Sequence, residues 1–179
     1  MADRGDNWLD ETAALYKSAL ESLPKMTRQN RVAELYRQLA GQALEQKNQN
    51  LQFSALLNIS ELNCSVAADH LIMANILSSN GADGEALAHY YEAVKLSDDP
   101  EYRNEFGFCL LRTNKARQAT SQFRKVLGYD EANPLAKLGL GISLWRTNQR
   151  EQGMEMIREA IRLDSSIRNR LETFSIPMD

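Results

Sequence analysis

The chain has 179 residues, a formal net charge of −3 at neutral pH and only 4 Pro and 9 Gly, while Leu, Ala, Glu, Gln and Arg recur throughout. That length suffices for a core without disulfide or metal staples, and the composition favours helix over sheet. Interspersed acids and bases leave no basic field for a phosphate backbone, so nucleic acid is not an expected partner, and no apolar run reaches the roughly 18 residues that membrane insertion requires.

At the start, Met1 to Glu11 carries Asp3, Asp6 and Asp10 and no apolar run, which argues against a secretory leader and makes the cytoplasm the expected compartment. Apolar residues at Trp8, Leu9, Ala13, Tyr16, Ala19, Leu20 and Leu23 then form one helical stripe over 8–22, which Pro24 ends. Periodicity predicts a helix over 34–47 and another over 50–62, followed by 68–79 and 83–96, 101–113 and 116–128, and 135–147 and 150–163. A short helix over 166–174, with Ile167, Leu171 and Phe174 on one side, closes the series.

The later helices repeat. Leu110 to Gln118 reads LLRTNKARQ and Leu144 to Gln152 reads LWRTNQREQ, 34 residues on, with five of nine positions identical. The same shift carries Pro100 onto Pro134, Gly107 onto Gly141, Phe123 onto Ile157 and Val126 onto Ala160. A third copy spans Ala67 to Asp99 with one residue fewer. Upstream, Ala33 to Val66 offers Tyr36, Leu39, Ala40, Leu56 and Ile59 at matching places, but Gln52 replaces the small residue and the turn has no Gly, so it is either a degenerate copy or an unrelated helix pair.

A small residue (Ala74, Gly107, Gly141), a second twelve positions on (Ala86, Ala119, Gly153) and a third seven later (Ala93, Val126, Ala160) resemble the tetratricopeptide-repeat pattern. Small side chains there let two helices approach, while Leu77 and Tyr90, Leu110 and Phe123, and Leu144 and Ile157 fill the remaining space. Gly81, Asn114 and Asn148 fall where a tight turn needs a left-handed backbone. The resemblance implies an all-α, right-handed α-solenoid of antiparallel helix pairs with an N-terminal extra helix and a C-terminal capping helix. Its parts are an extension over 1–32, the degenerate pair over 33–66, three repeats over 67–164 (about 67–99, 100–133 and 134–165) and a capping helix and tail over 165–179.

Residues for chemistry are scarce. His70 and His89 are the only histidines and have no partner at ligand spacing, and Cys64 and Cys109 read as packing groups. Gly81 and Gly84 lack the strand of a phosphate loop, and Asp98 with Asp99 reads as a solvated linker. No cofactor, metal or catalytic activity is expected.

In the family that the chain resembles, the first helices of successive pairs line a concave groove. The resemblance therefore implies a lining of Leu71, Ile72 and Asn75, then Asn104, Glu105, Phe108, Leu111 and Arg112, then Leu138, Ile142, Trp145 and Arg146. Phe108, Leu111, Leu138, Ile142 and Trp145 would form an exposed apolar strip flanked by Arg112 and Arg146, with Phe108 and Trp145 as anchors. Its occupant is either an extended or helical apolar segment of another protein, or the chain's own N- or C-terminal segment. Members that clamp acidic chaperone tails use a Lys, Asn and Arg set; only Asn75 matches, and Leu71, Glu105, Leu135 and Gly139 supply no cation. The plan as a whole is similar to the translocator chaperones of bacterial type III secretion. The expected function is thus a protein-binding adaptor or chaperone; the alternatives are a scaffold that self-associates into a homo-oligomer and a regulatory subunit of a larger secretion or pilus assembly.

Overall fold

Pro24, fixed at φ −52° with an extended ψ, stands immediately before the first long helix of the computed structural model, which describes residues 15, 17–19 and 21–176. Most of the apolar stripe expected over 8–22, including Trp8, Leu9, Tyr16 and Leu20, lies outside the described residues. The chain divides into two compact units, Met1–Ser65 and Val66–Asp179. Among the described residues there is no strand.

In the first unit, α1 (Lys25–Glu45) and α2 (Gln49–Glu61) pack as a hairpin. α1 begins nine residues before the predicted start at 34, because Pro24 leads directly into a breaker-free run, KMTRQNRVA, that carries too few apolar residues to show a stripe. Lys47 takes the left-handed turn at φ 56°, and the Asn48 side chain caps α2 by accepting from Leu51 N at 3.1 Å. Gln52, at the place where the other copies have a small residue, is buried, as are Ala55, Leu56 and Ile59 on the same helix.

The second unit stacks three pairs: α3 (Ala67–Ser79) with α4 (Asp83–Leu96), α5 (Pro100–Arg112) with α6 (Ala116–Tyr129), and α7 (Pro134–Arg146) with α8 (Arg150–Leu163). Each pair also packs on the next, through α4 with α5 and α6 with α7. Pro100 and Pro134 are the first residues of α5 and α7, one position before the predicted starts; proline suits that position because its missing N–H has no partner there anyway. Asp99 caps the one helix through Glu101 N at 2.8 Å, and Asn133 caps the other through Ala136 N at 3.0 Å. The turns inside the pairs place Gly81, Asn114 and Asn148 at φ 78°, 60° and 70°.

The small residues act as spacers. Ala74, Ala86, Ala93, Ala119, Val126 and Ala160 are wholly buried. A Cβ on Gly107 would lie 2.6 Å from the tip of the Phe123 ring, and one on Gly139 would lie closer still, so a single phenylalanine of α6 is seated on bare backbone from both α5 and α7. Gly141 and Gly153 face each other across the third pair: a Cβ on either would come within 2.7 Å of the other's carbonyl oxygen.

After α8 the chain turns at Asp164, whose carboxylate accepts from Ser166 N at 2.9 Å, into a 3-10 turn (Ser165–Arg168) and a final short helix, α9 (Asn169–Glu172). The predicted helix over 166–174 is therefore broken into two shorter pieces. Ile167, Leu171, Phe174 and Ile176 of this segment are all buried in the same core cluster as the three pairs.

Candidate functional site

In the second unit the segment 165–176 lies against the last pair and reaches α5. The 3-10 turn packs on α7 and α8. Farther along, Arg170 reaches α5, where Nη2 donates to Glu105 Oε1 at 3.1 Å and the guanidinium lies 4.8 Å from the centroid of the Phe108 ring. The Phe174 ring lies 6.1 Å from that of Phe108, and the Arg146 guanidinium lies 5.3 Å from the Phe174 ring centroid. Arg146 also donates to the carbonyl oxygen of Leu111.

This arrangement corrects the expected exposure of the apolar strip. Phe108 is 1% exposed, and Leu111, Leu138 and Ile142 are fully buried, in one cluster with Ile167, Leu171, Phe174 and Ile176. The strip is thus enclosed by the chain itself, its own C-terminal segment included. Trp145 is half-buried against the core with Arg150 5.3 Å from its ring centroid; it does not meet Phe108 as a second anchor in the open part of the groove. Leu71 is likewise half-buried against the core. Asn104 is buried, donates through Nδ2 to Asn133 Oδ1 at 3.3 Å, and leaves its Oδ1 without a partner.

Beside the C-terminal segment is a pocket of about 400 Å³, walled by Asn75 and Ser78 of α3, Tyr90 of α4, Glu105 and Arg112 of α5, and the edges of Phe108, Arg170 and Phe174. Its polar wall is internally bonded. Tyr90 donates its hydroxyl to Asn75 Oδ1 at 2.7 Å; Arg112 donates through Nε to Asp83 Oδ1 at 2.9 Å and through Nη2 to Ser78 Oγ at 2.6 Å; Ser78 in turn donates to Asp83 at 2.7 Å. Arg112 is therefore committed to this network and is not a free flanking cation. Burial, with the Glu105 carboxylate adding to it, pushes the Tyr90 phenol up to about 12, so it stays a neutral donor at physiological pH. Burial likewise drives the Cys109 thiol up to about 12, which makes it an inert packing group.

The resemblance pointed to Asn75, Glu105, Phe108 and Arg112, which the fold brings together. It did not point to Ser78, Tyr90, Arg170 or Thr173 as pocket residues. Tyr90 had the signal of a core residue in a second helix, and it is buried with its hydroxyl bonded to Asn75 at the pocket wall. For Arg170 the sole signal was its place beside Leu171, three residues after Ile167.

Elsewhere in this unit, His70 of α3 and His89 of α4 meet with their Nδ1 atoms 3.3 Å apart, so one ring donates while the other accepts. Among the described residues no three His, Cys, Asp or Glu side chains are grouped to hold a metal ion. Burial first, and His70 second, hold the His89 imidazole below its ordinary value of 6.5. As pH falls through that value the unfolded chain takes up a proton that the folded chain refuses, so stability is full above it and declines below. Thermal unfolding at a series of pH values from about 7.5 down to about 5 should show the midpoint falling, and a His89→Phe chain should fall less steeply.

No protein-family model matches the sequence, and no curated protein matches it. Solved structures do match the fold. YrrB, described as a TPR protein with an unusual peptide-binding site, superposes with a TM-score of 0.71 at 22% identity, over 95% of this chain and 85% of its own. MamA from Desulfovibrio magneticus, residues 41 to the end, gives 0.67 at 21% identity over 75% of this chain and 76% of its own. PilF of Pseudomonas aeruginosa gives 0.61 at 18% identity over 76% of this chain and 63% of its own.

Proposed function

We propose, from the premise that this chain has the tetratricopeptide-repeat fold, that it is a protein-binding module whose groove in the second unit takes a segment of another polypeptide. The observation that carries this reading is the pocket of about 400 Å³ that remains beside the C-terminal segment, lined by Phe108 and Phe174 together with the polar side chains of Asn75, Glu105 and Arg170. Mixed apolar and polar lining of that kind suits a peptide, which brings both backbone polar groups and side chains. The likeness to YrrB supports the same direction. In the finer form of the proposal the chain is a cytoplasmic adaptor or chaperone, with no chemistry of its own. Among the described residues no helix is long and apolar enough to cross a membrane.

A photo-reactive amino acid at Ser79, an exposed position on the pocket rim, tests this when the chain is expressed in its native cell. The same group at Lys125, exposed on α6, serves as the control. A discrete adduct from Ser79 alone, mapping to one segment of one partner, is the expected result. Adducts of equal yield from both positions, or none, would remove the reading. An adduct at twice the mass of the chain would favour the self-associating scaffold instead.

A further inference from the structure

We infer that the groove of the second unit recognises a helical segment carrying an arginine and a phenylalanine on its apolar stripe, and that the chain's own residues 165–176 hold this place until a partner with the same stripe displaces them. The inference rests on the proposed protein-binding role and specifies the partner for it.

The groove-facing residues of the C-terminal segment are Ile167, Arg170, Leu171 and Phe174, at positions i, i+3, i+4 and i+7. That is the spacing of one helix face, and the mode in which amphipathic helices dock into apolar grooves. The receiving surface is matched to this order of chemistry. Glu105, with a quarter of its side chain exposed, accepts the Arg170 guanidinium, and the Phe108 ring lies under the same group. One turn later Arg146 covers Phe174. An acid and an aromatic ring thus select a cation at i+3, and a cation selects an aromatic ring at i+7, each through its charge or its quadrupole.

The segment is held by four buried apolar side chains, Ile167, Leu171, Phe174 and Ile176, and by little else. Its regular structure amounts to a 3-10 turn and α9, its ion pair to Glu105 is 41% exposed on the arginine side, and its last turn passes through Ser175 at φ 54°, a conformation disfavoured for a residue with a side chain. Its advantage over a free partner is attachment, which gives it a high local concentration. A longer helix that makes the same four contacts and also enters the adjoining pocket at Asn75 and Ser78 gains contacts that residues 165–176 do not supply.

The test uses the full chain and a fluorescent peptide of residues 165–176 as the probe. In the native chain the attached segment competes; in a Leu171→Ala, Phe174→Ala chain it does not, and the peptide should bind about tenfold more tightly to the latter. Adding Glu105→Arg to that chain should weaken binding about fivefold, and a peptide with Arg170→Glu should recover it. Equal affinity for the native and altered chains, or indifference of the Glu105→Arg chain to the peptide's charge, overturns the inference. Should the altered chain lose helicity, amide exchange on the native chain decides: saturating peptide should speed exchange of residues 165–176 while α5 and α7 stay protected, and an unchanged rate overturns the inference. Cross-linking at Ser79 without peptide exchange would sink this inference alone, whereas peptide exchange without any cellular adduct would sink the protein-binding role and with it the displacing partner.

Discussion

Exchanging Gly153 for alanine should destabilise the second unit by about 2–3 kcal/mol, although alanine is the better helix former by about 1 kcal/mol. The added methyl would sit 2.6 Å from the Gly141 carbonyl oxygen and 2.8 Å from the Trp145 backbone nitrogen. Both atoms belong to the backbone of α7, so no side chain can swing aside and the two helices themselves must part. The same exchange at Gly128 of α6, where a Cβ would meet nothing within 4 Å, should instead stabilise the chain by a few tenths of a kcal/mol. Urea unfolding followed by far-ultraviolet circular dichroism separates the two results. Equal shifts of the same sign at both positions would mean that α7 and α8 do not touch at their glycines and that the repeat has been misread.

That opposition of signs also marks which glycines are legible in the sequence. Gly107 and Gly141 recur 34 residues apart because each leaves room for an inward-facing residue of the second helix, Phe123 or Ile157, and a demand that recurs is visible as a period. Gly81, Asn114 and Asn148 were legible for the same reason, since a left-handed turn admits few residue types. The start of α1 was not legible: residues 25–33 carry little apolar pattern, and Pro24 could be read as the end of one helix without also being read as the threshold of another. The groove was half legible. Helical phase placed Phe108, Leu111, Leu138 and Ile142 on one side of the first helices, but phase says nothing about what covers that side. Their cover includes residues 165–176, joined through a pair such as Glu105 and Arg170 that stands 65 positions apart and leaves no spacing signal. Gly139 was likewise silent, because it stands outside the recurring small-residue positions and is matched to the Phe123 ring across the junction between two pairs.

That phenylalanine should show the largest effect of any single side chain in the unit. Phe123 is fully buried, and Phe123→Ala should cost about 3–5 kcal/mol through lost burial and the cavity left behind. Gly139→Ala alone should cost about 1–3 kcal/mol by forcing the ring off its seat. Because the two changes act on the same space, the double variant should be less destabilised than the sum by about 0.5–3 kcal/mol, the alanine at 139 occupying part of the vacated volume. Strict additivity would show that the ring is not wedged between α5 and α7. The consequence extends to the groove, since Phe123 meets Phe108 edge to face at a centroid distance of 5.1 Å, and Phe108 is the ring on which Arg170 rests. Loss of Phe123 should therefore free Phe108 to turn into the cavity and loosen the C-terminal segment. Amide exchange over residues 165–176 should accelerate in Phe123→Ala more than in Ile157→Val, a small truncation in the core of the last pair, once the two chains are compared at equal fractional stability.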